Sequence, residues 1–292
     1  TNYDGPILDW PIYDRVKETK EEVSELKANY AALVSMVDEY FGKLLDYFDN
    51  NNLWEDTALI LTTDHGFLLG EHDWWAKNRM PVYNEISHIP LMIYHPDHSK
   101  LSGSRIESLT QTIDIMPTFL DLFNLNIPND VSGKSLLNIL QSDQQIRKAL
   151  IYGYFGAACN ITDGKHTYFR YPKKMSASGL HEYTLMPTRM TSRFSIRELS
   201  EMTLSNPFKF SKGLQLLKVK PKVSENNEPL EVQGMTFEDI GSQLFDVSID
   251  KEQKFPIDDP EVIKFLLEEM VKLMKQADAP KALFERLNLK CN

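Results

Sequence analysis

Cysteine is almost missing from this chain, with two residues in 292, Cys159 and Cys291. That count excludes the disulfide framework that staples small secreted domains, and it leaves the compartment open between cytoplasmic and exported. Long apolar runs are missing too. A membrane-crossing helix needs about twenty consecutive apolar residues, and none is present. No leader-like segment follows Thr1, and the overall composition reads as that of a soluble globular protein. Positive charge is in deficit, the formal net charge being -10. A broad nucleic-acid surface is therefore not expected, and anion binding would need a locally basic pocket. There is no internal repeat and no low-complexity tract.

What is present is ordinary globular composition, 42% hydrophobic and 25% charged, in a chain long enough for one large domain or two smaller ones. Thr57 to Lys77 stands out: T-A-L-I-L-T-T-D-H-G-F-L-L-G-E-H-D-W-W-A-K. Its apolar start, Ala58 to Leu61, predicts a strand buried on both faces, as in a parallel sheet. Asp64, His65 and Gly66 follow at once, where ligands gather beyond the carboxyl ends of strands in open α/β sheets. Asp offers a hard oxygen, His a ring nitrogen, and Gly a sharp exit turn. Lys77 is a cation suited to an anionic substrate.

On either side the pattern is helix and strand. Apolar residues at three- and four-residue steps (Val23, Leu26, Tyr30, Leu33, Val37, Leu44, Phe48) predict a helix over 17–50. Residues 88–96 predict a second buried strand, 105–109 a short one, and 112–122 a helix. Beyond residue 148, segments 150–155, 157–162 and 165–171 predict antiparallel strands around an Asp163-Gly164 turn. Gln243 to Val247 adds a strand, and Asp259-Pro260 opens an amphipathic helix. The expected fold is α/β. Residues 1–147 form part of a doubly wound, mainly parallel sheet with flanking helices. Residues 148–292 form a small α+β subdomain with an antiparallel sheet and a long insertion at about 173–235. Asn160-Ile161-Thr162 fits a glycosylation triplet, a pattern common by chance.

The stretch T-T-D-H-G-F-L-L-G-E-H-D-W-W-A-K resembles the metal-site segment of the sulfatases, within the alkaline-phosphatase-like superfamily. Tyr30 to Gly42, His88 to Pro96, Asp114 to Thr118, Gly133 to Leu136, and Leu244-Phe245-Asp246 with Asp250 and Glu252 resemble further family elements in the same order. The resemblance implies a sulfate-ester hydrolase in which Asp64 and His65 are two ligands of a divalent metal. Calcium is the usual ion, with magnesium or manganese as alternatives. Lys77 would contact the sulfate as a catalytic and substrate-binding residue. His72 would either approach the substrate as a catalytic group or hold the loop.

Sulfatases carry their nucleophile in C-x-[PA]-x-R, whose Cys or Ser becomes formylglycine. Cys159 is followed by N-I-T and Cys291 by the last residue, so neither matches. The resemblance therefore implies a partner for this site, the N-terminal half of the same protein, and the chain alone is expected to be inactive. The substrate would be a sulfate ester such as a sulfated sugar, which Lys173, Lys174, Arg189, Arg193 and Arg197 would contact unless they are simply solvated charges. Two alternatives stay open: a phosphonate monoester or phosphodiester hydrolase of the same superfamily, and a non-catalytic binding module. One geometric expectation follows. Asp64 and His65 should lie at the carboxyl end of a central parallel strand, with the Lys77 amine close enough to share one anion with them.

Overall fold

The structure, a computed structural model, describes residues 15–77, 81–153, 156–172, 179–186, 188, 193–220 and 241–290. It divides into two compact units, residues 1–96 and 97–292.

The first unit opens on α1 (Lys20–Asn50). Thr19 caps it: its hydroxyl accepts from the Glu22 amide, and Glu22 accepts in return from the Thr19 amide. This reciprocal box satisfies two amides that the helix start leaves without partners, so the helix begins at Lys20 rather than at 17. Phe48 anchors the other end against Trp54, whose ring meets Tyr94 edge-on. Next come β1 (Leu59–Thr62), the short hairpin of β2 (Leu68–Leu69) and β3 (Trp75–Ala76), the one-turn helix α2 (Asn84–Ser87) and β4 (Leu91–Tyr94).

Helix, loop and strand succeed each other here as α/β patterning requires, but the pairing of β1 corrects one expectation. Among the described residues its partner is β4, and the two run antiparallel, Leu59 facing Tyr94 and Thr62 facing Leu91. A parallel return needs a crossover about a dozen residues long, usually a helix. Residues 63–90 are long enough for one, but the helices described there, Glu71–Asp73 and Asn84–Ser87, are single turns. Burial on both faces is not observed either: β1 is half-buried to exposed, and Met92 of β4 is exposed.

The second unit begins with the predicted helix as α3 (Ile115–Leu122), preceded by a tight turn over Thr112–Asp114, and continues through α4 (Ile139–Ser142). Residues 105–109 form no strand; instead Asp143 accepts from the amides of Glu107 and Ser108. The antiparallel sheet is as expected. Strands β5 (Leu150–Gly153), β6 (Cys159–Thr162) and β7 (His166–Arg170) follow in the chain. Then come β8 (Glu182–Thr184), α5 (Ile196–Glu201), β9 (Thr203–Leu204), β10 (Leu217–Val219) and β11 (Gln243–Asp246). The large sheet has the order β11-β7-β6-β5, and β8-β10-β9 make a second, small sheet that periodicity had not indicated.

Helix α6 (Pro260–Gln276) starts on Asp259, whose carboxylate accepts from the amides of Glu261 and Val262. Its Leu266, Met270 and Met274, spaced by four, are buried with Ile161, Tyr168 and Leu244 of the sheet and with Phe284 of α7 (Lys281–Arg286). Asn160 lies fully buried in this sheet, so the glycosylation triplet is a core strand in the folded chain.

The compositional shift near 147 falls inside this unit. Arg147 makes a two-pronged ion pair with Asp114, at 2.6 Å on each oxygen, tying the segment that precedes α3 to the residues leading into β5. Asp114 also accepts from the Gln111 and Lys134 amides. Of the basic residues at 173–197, Lys173, Lys174 and Arg189 lie outside the described residues. Arg193 is exposed, and Arg197 pairs with Glu201.

Candidate active site

β1 ends at Thr62, and the chain turns through Thr63, Asp64, His65 and Gly66. The Gly66 amide donates to the Ile86 carbonyl at 2.8 Å, fastening the turn to α2. A side chain could not stand there: a Cβ on Gly66 would lie 1.8 Å from the Glu85 carbonyl oxygen. Glycine is required by close approach of two backbones.

The turn aims two donors at one place. Asp64 Oδ1 accepts from the His65 amide at 3.0 Å and from the Thr63 hydroxyl at 3.3 Å, while the side chain stays 81% exposed. Desolvation opposes ionisation of this carboxyl, but the neighbouring His65 imidazole and these hydrogen bonds outweigh it and hold its pKa below the usual range. His65 Nδ1 lies 2.9 Å from the Gly66 carbonyl oxygen. A carbonyl can only accept, so Nδ1 carries the proton, and in the neutral ring Nε2 presents a lone pair. That nitrogen is 3.2 Å from Asp64 Oδ2, and the Lys77 amine meets it from the other side. A carboxylate, an imidazole and an ammonium thus converge from positions 64, 65 and 77, at the end of an antiparallel strand rather than of the central parallel one expected.

The donor set suits part of a cation shell. A hard divalent ion takes six or more oxygen ligands, and a histidine nitrogen is compatible with magnesium- or manganese-like ions as well. Among the described residues, no third His, Cys, Asp or Glu joins Asp64 and His65. Two such donors are fewer than a full shell needs.

Lys77 is delivered by an unusual loop. Gly70, His72, Asp73 and Ala76 all have positive φ, three of them with side chains that disfavour it. The surrounding contacts hold this backbone in place. Arg15 donates to the His72 carbonyl at 3.2 Å, and its guanidinium lies 4.2 Å from the centre of the Trp74 ring. The Val16 amide donates to the Asp73 carbonyl, and the Trp75 indole donates to Glu18 at 2.6 Å. Glu71 accepts from the Leu69 amide and pairs with Lys27 of α1.

His72 faces inward, its side chain only 9% exposed. Its ring stacks on Tyr83 at 3.6 Å, nearly parallel, and its Nε2 is 3.5 Å from Glu85 Oε2, an electrostatic pairing without hydrogen-bond geometry. Burial pushes the Tyr83 phenol up to about 12. Trp74 is buried and Trp75 half-buried. Arg15, Tyr83 and Glu85 were not singled out by sequence reasoning. They lie in an irregular lead-in and a mixed polar stretch, and only the fold shows what they hold.

Comparison with known proteins bears on this site. The family model described as Sulfatase matches residues 10–125, and that described as N-sulphoglucosamine sulphohydrolase, C-terminal, matches residues 70–184. The chain is 28% identical over 221 residues to an N-acetylglucosamine-6-O-sulfatase of Bacteroides thetaiotaomicron, covering 72% of this chain and 38% of that protein. It is 34% identical over 120 residues to the multifunctional alkaline phosphatase superfamily protein PehA of Trinickia caryophylli, covering 41% of this chain and 23% of that protein. A solved structure in complex with its substrate D-glucosamine-2-N,6-O-disulfate superposes with a TM-score of 0.56 at 20% identity, over 85% of this chain and 40% of that one. The chain spans well under half the length of the curated relatives it matches.

Proposed function

Because the chain belongs to the sulfatase family, we propose that the polypeptide containing it hydrolyses a sulfate ester to an alcohol and inorganic sulfate, using Asp64, His65 and Lys77. One observation carries this reading: the amine of Lys77 meets the His65 nitrogen that also faces the Asp64 carboxylate. A divalent metal, calcium in the first instance with magnesium or manganese as alternatives, would be held by Asp64 and His65 and would neutralise charge on the sulfate oxygens. The Gly66 carbonyl fixes the ring so that Nε2 faces that ion, as a hydrogen-bonded partner does for metal-bound histidines.

Lys77 binds a sulfate oxygen and stabilises the charge that builds on the transferring group and the departing alcohol oxygen. For His72, burial against Tyr83 and Glu85 favours holding the loop over contact with substrate. The nucleophile, a formylglycine in this family's pattern, would come from the N-terminal half of the same polypeptide. Similarity to the N-acetylglucosamine-6-O-sulfatase supports a sulfated amino sugar as substrate.

A second reading, a phosphonate monoester or phosphodiester hydrolase, is favoured by the 34% identity to the multifunctional superfamily protein. The reaction class is tested by incubating the longer polypeptide with N-acetylglucosamine 6-sulfate and with aryl phosphate mono- and diesters, with and without a chelator. Chelator-sensitive sulfate release exceeding phosphate release is expected. Phosphodiester turnover without sulfate release would establish the second reading, and inactivity on all three would favour a binding module.

A further inference from the structure

Helix α1 is attached at its ends and bare in its middle. Tyr30 stacks on Phe67 at 5.9 Å near one end, and Phe48 packs on Trp54 at the other. Between these anchors every residue from 31 to 40 is exposed. Seven of those ten are apolar or aromatic, the polar ones being Ser35, Asp38 and Glu39. Leu33, Val37, Tyr40 and Leu44 repeat at three- and four-residue steps and so share one stripe, with Val37 60% and Tyr40 63% exposed. Asp38, Glu39 and Asp46 lie away from the stripe, while Lys43 flanks it, pairing with Glu39 and placing its ammonium 4.4 Å from the centre of the Tyr40 ring. An apolar stripe of this length with a polar back belongs against another protein layer.

A second feature of the same unit agrees. The β1–β4 pair has no other strand beside it among the described residues, although sheets stable on their own usually need three or more strands.

We infer that the middle of α1 is the docking surface for the N-terminal part of the sulfatase fold, carried by the segment of the polypeptide that precedes this chain. The stripe calls for a largely apolar partner layer, with the Lys43 ammonium beside the Tyr40 ring as the charged group at its edge. The match to a relative leaves about three-fifths of that protein's length unaccounted for. One of the matching family models describes a C-terminal region, which favours an N-terminal place for the unmatched length. The inference rests on the sulfatase reading for the identity of the occupant; the exposed face itself does not depend on it.

Hydrogen–deuterium exchange tests it, comparing the 292-residue chain with the longer polypeptide. Amides of residues 31–44 should exchange at least tenfold more slowly in the longer form. Val37→Glu should leave the melting temperature of the 292-residue chain unchanged, because the side chain is solvated there, and should lower that of the longer form.

Equal exchange in both forms would overturn the inference. So would a reading frame that begins with this chain, or a homodimer of the 292-residue chain that Val37→Glu dissociates. Sulfate release, measured on the same samples, separates the two claims. Protection without activity fails the sulfatase reading alone, whereas unprotected residues 31–44 fail the docking surface whatever the activity.

Discussion

A methyl group on Gly66 would stand 1.8 Å from the Glu85 carbonyl oxygen, so Gly66→Ala must pry the Asp64–His65 turn away from α2. Overpacking of this kind costs about 1–3 kcal/mol. The variant should show a lower melting temperature, and in the longer polypeptide a loss of activity larger than the stability loss. At Tyr83 the expected effect is on pH dependence. Its folded pKa is raised from 10.0 to about 12 by burial. Between those values the unfolded chain gives up the proton while the folded chain keeps it, so stability falls as pH rises through that window. Tyr83→Phe should flatten the alkaline limb of the stability profile; an unchanged limb would show that the phenol is not the group responsible. Burial likewise raises the Cys159 thiol from 9.0 to about 12. Iodoacetamide at pH 8 should therefore modify the Cys159 peptide no faster than the chain unfolds, as read by mass spectrometry.

At this scale the convergence of Asp64, His65 and Lys77 was legible, because the motif's spacing brings them together. Gly66 was legible as a turn former, but not the carbonyl that crowds it, because that contact joins segments twenty residues apart. The inward face of His72 was hidden for the same reason. Its stacking partner, Tyr83, sits in a stretch without periodicity.

Among the elements, those with local signals were readable. α1 and α6 have three-to-four-residue apolar steps and side-chain caps, and β6 and β7 flank an Asp-Gly turn. The β1–β4 pairing was not readable, since an apolar tetrapeptide does not state which strand will lie beside it or in which direction. Nor was the small sheet of β8, β9 and β10, whose strands of two or three residues are too short to show alternation. The joint between the α3 segment and the main sheet hangs on Arg147 and Asp114, 9% and 0% exposed. Arg147→Ala would leave a buried carboxylate without its cation, a loss of about 3–5 kcal/mol. Arg147→Ala/Asp114→Asn should recover part of it. If Arg147→Ala unfolds at the same denaturant concentration as the parent, the pair does not secure this joint.

Across the whole chain, the α/β and α+β character and the family were foreseeable, whereas the division into units was not. Composition changes near residue 147, but Arg147 and Asp114 carry the second compact unit back across that point, which no compositional measure registers. The site has the same partial character. Asp64, His65 and Lys77 converge in a chain that covers 38% of a curated sulfatase, and the proposed reaction takes its remaining groups from the rest of the polypeptide. The account depends on the three residues acting together on a sulfate ester. The most direct test is sulfate release from N-acetylglucosamine 6-sulfate by the longer polypeptide and by its Asp64→Asn, His65→Ala and Lys77→Ala variants. Each variant should fold, with a melting temperature near that of the parent, and lose about 100- to 1000-fold in kcat/KM, the usual effect of removing one charge-stabilising group. Parent-like sulfate release by folded Lys77→Ala and Asp64→Asn proteins would contradict the assignment of this site.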